Sequence, residues 1–174
     1  MKALFLDRDG VINEDFGYVY KIEDFVFTDG IFELLKIFID NGFHLFIVTN
    51  QSGIGRGYYS IDDFFKLTNY MLGRLKEENI YVEDVLFCPH SPDENCSCRK
   101  PKTGMIDKVL DKYKIDLSKS WLIGDKQSDI DLAINSKISN SIAIGFKEIK
   151  NSCYNFNNIK ECKEFFAQND TLLK

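Results

Sequence analysis

ALFLDRDG, residues 3–10, is an apolar run of four that stops at an acid. Four apolar residues without polar alternation suit a strand buried on both faces, as strands inside parallel sheets are. The pattern recurs. FHLFIVT (43–49), Tyr81 to Phe87, Ser120 to Ile123 and Ser141 to Ile144 read as four further strands. Helical spacings lie between them. Ile31, Phe32, Leu34, Leu35, Phe38 and Ile39 form one face, closed by Asn41-Gly42. Phe64, Leu67, Met71, Leu72 and Leu75 form another, opened by a capping box from Ser60 to Asp63. Met105, Ile106, Val109, Leu110 and Tyr113 mark a third helix, and Ile130 to Ile134 a fourth. The Asn-rich stretch 150–158 reads as a loop, with a last short helix over Ile159 to Phe166. Strands alternating with helices predict an α/β fold: a Rossmann-like doubly wound parallel sheet with helices on both faces.

The chain has 174 residues, 44% hydrophobic and 28% charged, which suits one domain over residues 1–174 with a sizeable core. A net charge of −5 argues against nucleic acid as a partner, because backbone phosphates select a basic face. No apolar run reaches the length of a membrane span, and MKALFLDRDG turns polar too early for a secretory segment. The cytoplasm is therefore the expected location. In a reducing compartment, clustered cysteines are expected as metal ligands rather than as disulfides.

Ligands of doubly wound sheets bind beyond the carboxyl ends of the strands. Those ends read DRDG, TNQSG, CPH…CRKP and GDKQSD. Asp7 and Asp9, two apart in extended chain, point to one side. Close carboxylates repel unless a cation relieves them, and Mg²⁺ favours carboxylate and phosphate oxygens. One acid can then attack phosphorus while the other moves a proton. Alone, so short a motif is equally a solvated turn. Thr49-Asn50-Gln51-Ser52-Gly53 offers hydroxyls and backbone N–H groups to phosphate, or simply caps a helix. Asp125 can complete a metal site with Asp7, and Asp129, one turn on, can orient Lys126 or a metal-bound water. Lys100 can offset charge on a transferring phosphoryl group.

Cys88-x-His90 and Cys96-x-Cys98 are two ligand pairs within residues 88–98, and three thiolates with one imidazole match tetrahedral Zn²⁺. The spacing lacks the C-x-x-C of redox pairs. Cys153 and Cys162 read as buried or incidental thiols, and His44 as a core or strand-end residue.

DRDGVIN (7–13), VTNQSGIGRG (48–57), CPH…CSCRKPKTGM (88–105) and IGDKQSDI (123–130) together resemble the haloacid dehalogenase superfamily of phosphatases. Within it they are similar to the heptose-bisphosphate and histidinol phosphatase group, in order from about residue 2 to 145. The resemblance implies Asp7 as the nucleophile that becomes an aspartyl-phosphate and Asp9 as acid and then base. It implies Mg²⁺ on the Asp7 carboxylate, the Asp9 backbone carbonyl and Asp125, and Thr49 and Lys100 on the phosphoryl group. Asp15, Gly17, Tyr18, Asn50, Gln51, Ser52, Arg99 and Lys126 match substrate-contacting positions. Cys88, His90, Cys96 and Cys98 match structural zinc ligands. The group has no large cap domain, and the intervals between motifs here are too short to hold one. Loops 13–21 and 53–59 and the zinc loop must then do the capping.

The expected reaction is removal of the 7-phosphate from D-glycero-D-manno-heptose 1,7-bisphosphate, in nucleotide-activated heptose synthesis for lipopolysaccharide or capsule. Histidinol-phosphate hydrolysis is the alternative, and Arg99, suited to a second anionic group, tilts the choice to the bisphosphate. A phosphoacceptor signalling domain would carry its acid after the third strand, where this chain has Cys88. A zinc-bearing binding module without catalysis would leave the acids unexplained. A monomer acting on a small sugar bisphosphate, with neither nucleic acid nor membrane as partner, is expected.

Overall fold

The computed structural model describes residues 1–174. Six strands form one all-parallel sheet: β1 (Lys2–Leu6), β2 (Phe43–Asn50), β3 (Val82–Cys88), β4 (Trp121–Gly124), β5 (Asn140–Ile144) and β6 (Tyr154–Phe156). Their spatial order is β3-β2-β1-β4-β5-β6. The chain winds outward from β1 to β3, then returns to β4 on the other side of β1. Loops leaving β1 and β4 thus diverge, opening a crevice at the carboxyl ends of those two strands. The register sets its walls: Leu6 lies opposite both Ile47 and Ile123, so Asp7, Thr49 and Asp125 emerge at nearly one level.

Side-chain alternation along β1 feeds two cores. Leu4 and Leu6 join one face with α1 (Ile31–Asp40), α3 (Ile61–Glu77) and α6 (Ile159–Gln168). Ala3 and Phe5 join the other with α4 (Gly104–Lys112) and α5 (Gln127–Asn135). Both faces are covered, which is why β1 reads as continuous apolar sequence. Each buried Leu or Phe removes enough apolar area from water to contribute about 2–3 kcal/mol. The Ser60–Asp63 capping box forms as expected, with the Ser60 hydroxyl accepting from Asp63 N and the Asp63 carboxylate from Ser60 N.

One expectation needs correction. Residues 150–158 are not all loop, because Tyr154–Phe156 pairs with β5 as a sixth strand. Tyr154 stacks on Trp121 with centroids 5.6 Å apart, and Phe156 packs on Phe165. Tertiary packing holds a three-residue strand that its Asn-rich flanks conceal. Of the two places expected for His44, core or strand end, it takes the second: it is the second residue of β2, its side chain is 41% exposed and it contacts Glu83 at 2.7 Å.

Candidate active site

Asp7, the first residue past β1, is almost fully buried, and its backbone N–H donates to Ile123 O, anchoring it against β4. The loop then turns at Gly10, whose φ of +84° needs glycine. A β-carbon there would also collide with the Asp125 carboxylate, so glycine lets the β1 loop lie against the end of β4. Asp7, Asp125 and Asp129 present oxygens within 4.8 Å of one another.

Lys100 enters this acid cluster from the loop after the cysteines. Its ammonium sits 3.0 Å from Asp7 Oδ1 and 2.6 Å from Asp129 Oδ1, and donates to Val48 O at 2.9 Å. All three N–H groups are therefore engaged. Burial alone would push the lysine pKa down, but Asp129 and Asp7 outweigh it and hold it above the ordinary value. Burial holds the Asp7 carboxyl above the usual carboxylate range although Lys100 opposes it. Asp125 is pushed up to about 7, by burial first and by the charge on Asp7 second.

Asp129 does not orient the Lys126 side chain, as the sequence reading allowed. Its Oδ2 accepts from the backbone N–H groups of Asp125 and Lys126, and its Oδ1 faces Lys100. Asp129 thus caps α5 and aims the lysine. The exposed tip of Lys126 reaches Asp15 Oδ2 at 3.2 Å, tying the 13–21 loop to the β4 end.

Asp9 stands apart from the three-acid cluster. Its Oδ1 accepts from Arg8 Nη2 (2.8 Å) and Asn13 Nδ2 (3.0 Å), and its Oδ2 from Arg8 Nη2 (2.9 Å) and Gln51 Nε2 (3.0 Å). Arg8 is 2% exposed and also donates to Val19 O. Thr49, fully buried at the end of β2, accepts from Gln51 Nε2 at 2.9 Å.

The remaining expected contacts divide. Asp15 accepts from Gly17 N at 3.0 Å, and Tyr18 meets Tyr58 edge-on at 4.8 Å, so the 13–21 and 53–59 loops touch at the rim. Ser52 opens the short helix α2 (Ser52–Gly55), and Arg99 is half-buried with Nη1 unpartnered. Asn50 and Gln51, read from sequence as substrate contacts, have their side chains engaged inside the protein. Asn50 Oδ1 accepts from Lys100 N at 3.0 Å while its Nδ2 donates to Lys100 O at 3.3 Å, a two-way clamp on that backbone. Arg8, Asn13 and Tyr59 were missed, because partnership with an acid or amide leaves no local pattern.

Both metal sites pass a chemical test. Asp125 Oδ1 is buried without a hydrogen-bond partner beside Asp7, and an all-oxygen donor set of crowded acids suits a hard divalent cation. The Sγ atoms of Cys88 and Cys98 lie 3.1 Å apart, Cys88 and Cys96 3.4 Å, and His90 Nδ1 is 3.2 Å from Cys98 Sγ. Tetrahedral zinc with its usual bond lengths separates sulfurs by about 3.7 Å, close to this spacing.

A family model described as polynucleotide kinase 3 phosphatase matches residues 6–171. A D-glycero-alpha-D-manno-heptose-1,7-bisphosphate 7-phosphatase from Campylobacter jejuni is 48% identical over 170 residues, covering 97% of this chain and 98% of that protein. The chain belongs to the haloacid dehalogenase superfamily of phosphatases, in its heptose-bisphosphatase group. A D-glycero-beta-D-manno-heptose-1,7-bisphosphate 7-phosphatase from Helicobacter pylori is 46% identical over 165 residues, covering 94% of this chain and 93% of that one. The fold matches that of a D,D-heptose 1,7-bisphosphate phosphatase from B. bronchiseptica, solved with magnesium and phosphate, at TM-score 0.84 and 24% identity over 97% of this chain and 99% of that one. As a haloacid dehalogenase phosphatase, the chain is a phosphoric monoester hydrolase.

Proposed function

We propose that the protein removes the 7-phosphate of D-glycero-D-manno-heptose 1,7-bisphosphate through an aspartyl-phosphate on Asp7. The buried Asp7–Lys100–Asp129 array beside Asp125 carries the chemistry. The substrate comes from relatives that are nearly half identical over almost the whole chain.

In this reading Asp7 attacks phosphorus, aimed by the Lys100 contact at 3.0 Å, and Asp9 gives a proton to the departing O7. Asp9 then takes a proton from the water that hydrolyses the aspartyl-phosphate. The Thr49 hydroxyl, fixed by Gln51, binds the transferring group. Lys100, with every N–H already engaged, acts chiefly by offsetting charge on Asp7. Asp7, the Asp9 backbone carbonyl and Asp125 would hold Mg²⁺, which supplies charge neutralisation for the phosphoryl oxygens and the acids. Cys88, His90, Cys96 and Cys98 would hold a structural Zn²⁺ that fixes the chain just before Arg99 and Lys100. The rim is left to Asp15, Gly17, Tyr18, Ser52, Arg99 and Lys126, with Arg99 for the second phosphate.

The family description that mentions polynucleotides does not set the substrate, because a net charge of −5 argues against the basic face that nucleic acid selects. No helix is long and apolar enough to cross a membrane. All five cysteines are free, which suits a reducing cytoplasm. We place the enzyme there as a one-domain monomer over residues 1–174, feeding nucleotide-activated heptose synthesis.

Steady-state kinetics on both heptose bisphosphate anomers, histidinol phosphate and fructose 1,6-bisphosphate, with and without Mg²⁺, test the reading. A heptose bisphosphate is expected to give the largest kcat/KM, and only with the metal. A larger value for histidinol phosphate would refute the assignment.

A further inference from the structure

The apex of the 13–21 loop stands out from the body of the protein. Glu14 N still donates to Val26 O, but residues 15–18 are exposed in succession before Val19 turns back into the core. Two side-chain contacts reach from them to other loops. Lys126 meets Asp15 in a surface ion pair, a kind that contributes little. The Tyr18 ring meets the Tyr58 ring edge-on, with centroids 4.8 Å apart and planes at 83°. Both rings are half exposed at the rim.

Tyr18 needs a neighbour of this kind. Its φ of +52° follows one of +80° at Gly17. A bulky side chain seldom takes the left-handed region unless its surroundings hold it there. Without a partner for the ring, the backbone is free to leave that region and swing the ring off the rim.

Tyr58 can hold it because its own loop is well anchored. Gly57 N and Tyr58 N close turns on Ile54 O and Gly53 O. Gly55 N donates to Pro89 O at 2.8 Å, and the zinc loop lies so near that a β-carbon on Gly55 would collide with it. The next ring, Tyr59, is buried, stacks on Tyr20 at 5.1 Å and donates its hydroxyl to Gln51 Oε1 at 2.5 Å. The adjacent residues Tyr58 and Tyr59 thus grip alternate residues of the 13–21 loop, Tyr18 outside and Tyr20 inside.

We infer that Tyr58 is a positioning residue for substrate binding: its ring holds Tyr18 at the rim, where Tyr18 touches the sugar. The inference rests on the substrate contact proposed above for Tyr18.

Comparing KM with product inhibition separates this role from general damage. Heptose bisphosphate spans the strand ends and the rim, whereas inorganic phosphate, a competing product, reaches only the strand ends. Tyr58→Ala is expected to raise KM for heptose bisphosphate about fivefold, the effect of losing one aromatic pair, with kcat and the Ki of phosphate retained. Tyr58→Phe keeps the ring and is expected to keep the wild-type KM. In a Tyr18→Ala background, which raises KM by itself, Tyr58→Ala is expected to add nothing, because a residue that acts through Tyr18 has nothing left to position. An unchanged KM in Tyr58→Ala, a KM and Ki that rise together, a Phe variant as impaired as the Ala variant, or additive effects in the double variant would each overturn the inference. If Tyr18→Ala leaves KM at the wild-type value, the substrate contact of Tyr18 fails and takes the inference with it.

Discussion

Lys100→Met removes an ammonium from among buried acids while keeping the length and the apolar stem. At 3.0 and 2.6 Å from Asp7 and Asp129, each attraction is about 6 kcal/mol at an effective dielectric near 20. Much of that is offset by the cost of drying three charges, and breaking such a buried pair costs about 3–5 kcal/mol net. The loss is expected to depend on pH. Burial already raises the Asp7 carboxyl, with Lys100 opposing, so losing Lys100 raises it further. A carboxyl raised above its unfolded value binds its proton more tightly in the folded state. Its stability contribution is present at low pH and disappears as pH rises through the folded pKa. The variant should therefore recover stability relative to wild type between pH 7 and about pH 5. Urea titrations without added Mg²⁺ and with zinc retained, followed by fluorescence of the sole, 3%-exposed Trp121, measure this directly. A deficit below about 1 kcal/mol at pH 7, or one as large at pH 5 as at pH 7, would refute the reasoning.

Two further outcomes follow from the metal sites. Asp125, raised to about 7, must lose a proton to hold a cation, so Mg²⁺ affinity should weaken up to about tenfold per unit as pH falls below 7. Calorimetric titration at pH 5, 6 and 7 checks this, and a flat profile contradicts it. Zinc removal, by chelation or by Cys98→Ser, should lower activity through disorder of Arg99 and Lys100, with amide exchange rising over residues 99–104. A zinc-free protein of full activity would break that link.

Sequence revealed the sheet because β1, β2, β4 and β5 are short apolar runs, three of them ending in chemistry-bearing residues, and a buried parallel strand has no other signature. β6 stayed hidden, since three residues carry no period and Tyr154 and Phe156 owe their place to Trp121 and the α6 phenylalanines. The cluster of three cysteines and one histidine was legible for a simple reason: its ligands fall within eleven residues and meet in space. Of the roles the sequence allows Asp129, orienting Lys126 is not the one seen, and its contact with Lys100 is invisible in sequence because Lys100 lies on another loop and nothing local points from one to the other. Asn50 and Gln51 show the same limit. Residue type says that an amide can bind a substrate, but only the folded structure shows the amide already bound to Lys100 and to Asp9.

The central claim is that Asp7 is the nucleophile of a heptose-bisphosphate phosphatase. Asp7→Asn keeps the shape of the side chain and removes its charge. Turnover of heptose bisphosphate at saturating Mg²⁺ is predicted to fall by about 10³-fold or more, with bound zinc and the melting transition retained. Wild-type turnover in that variant would contradict the account.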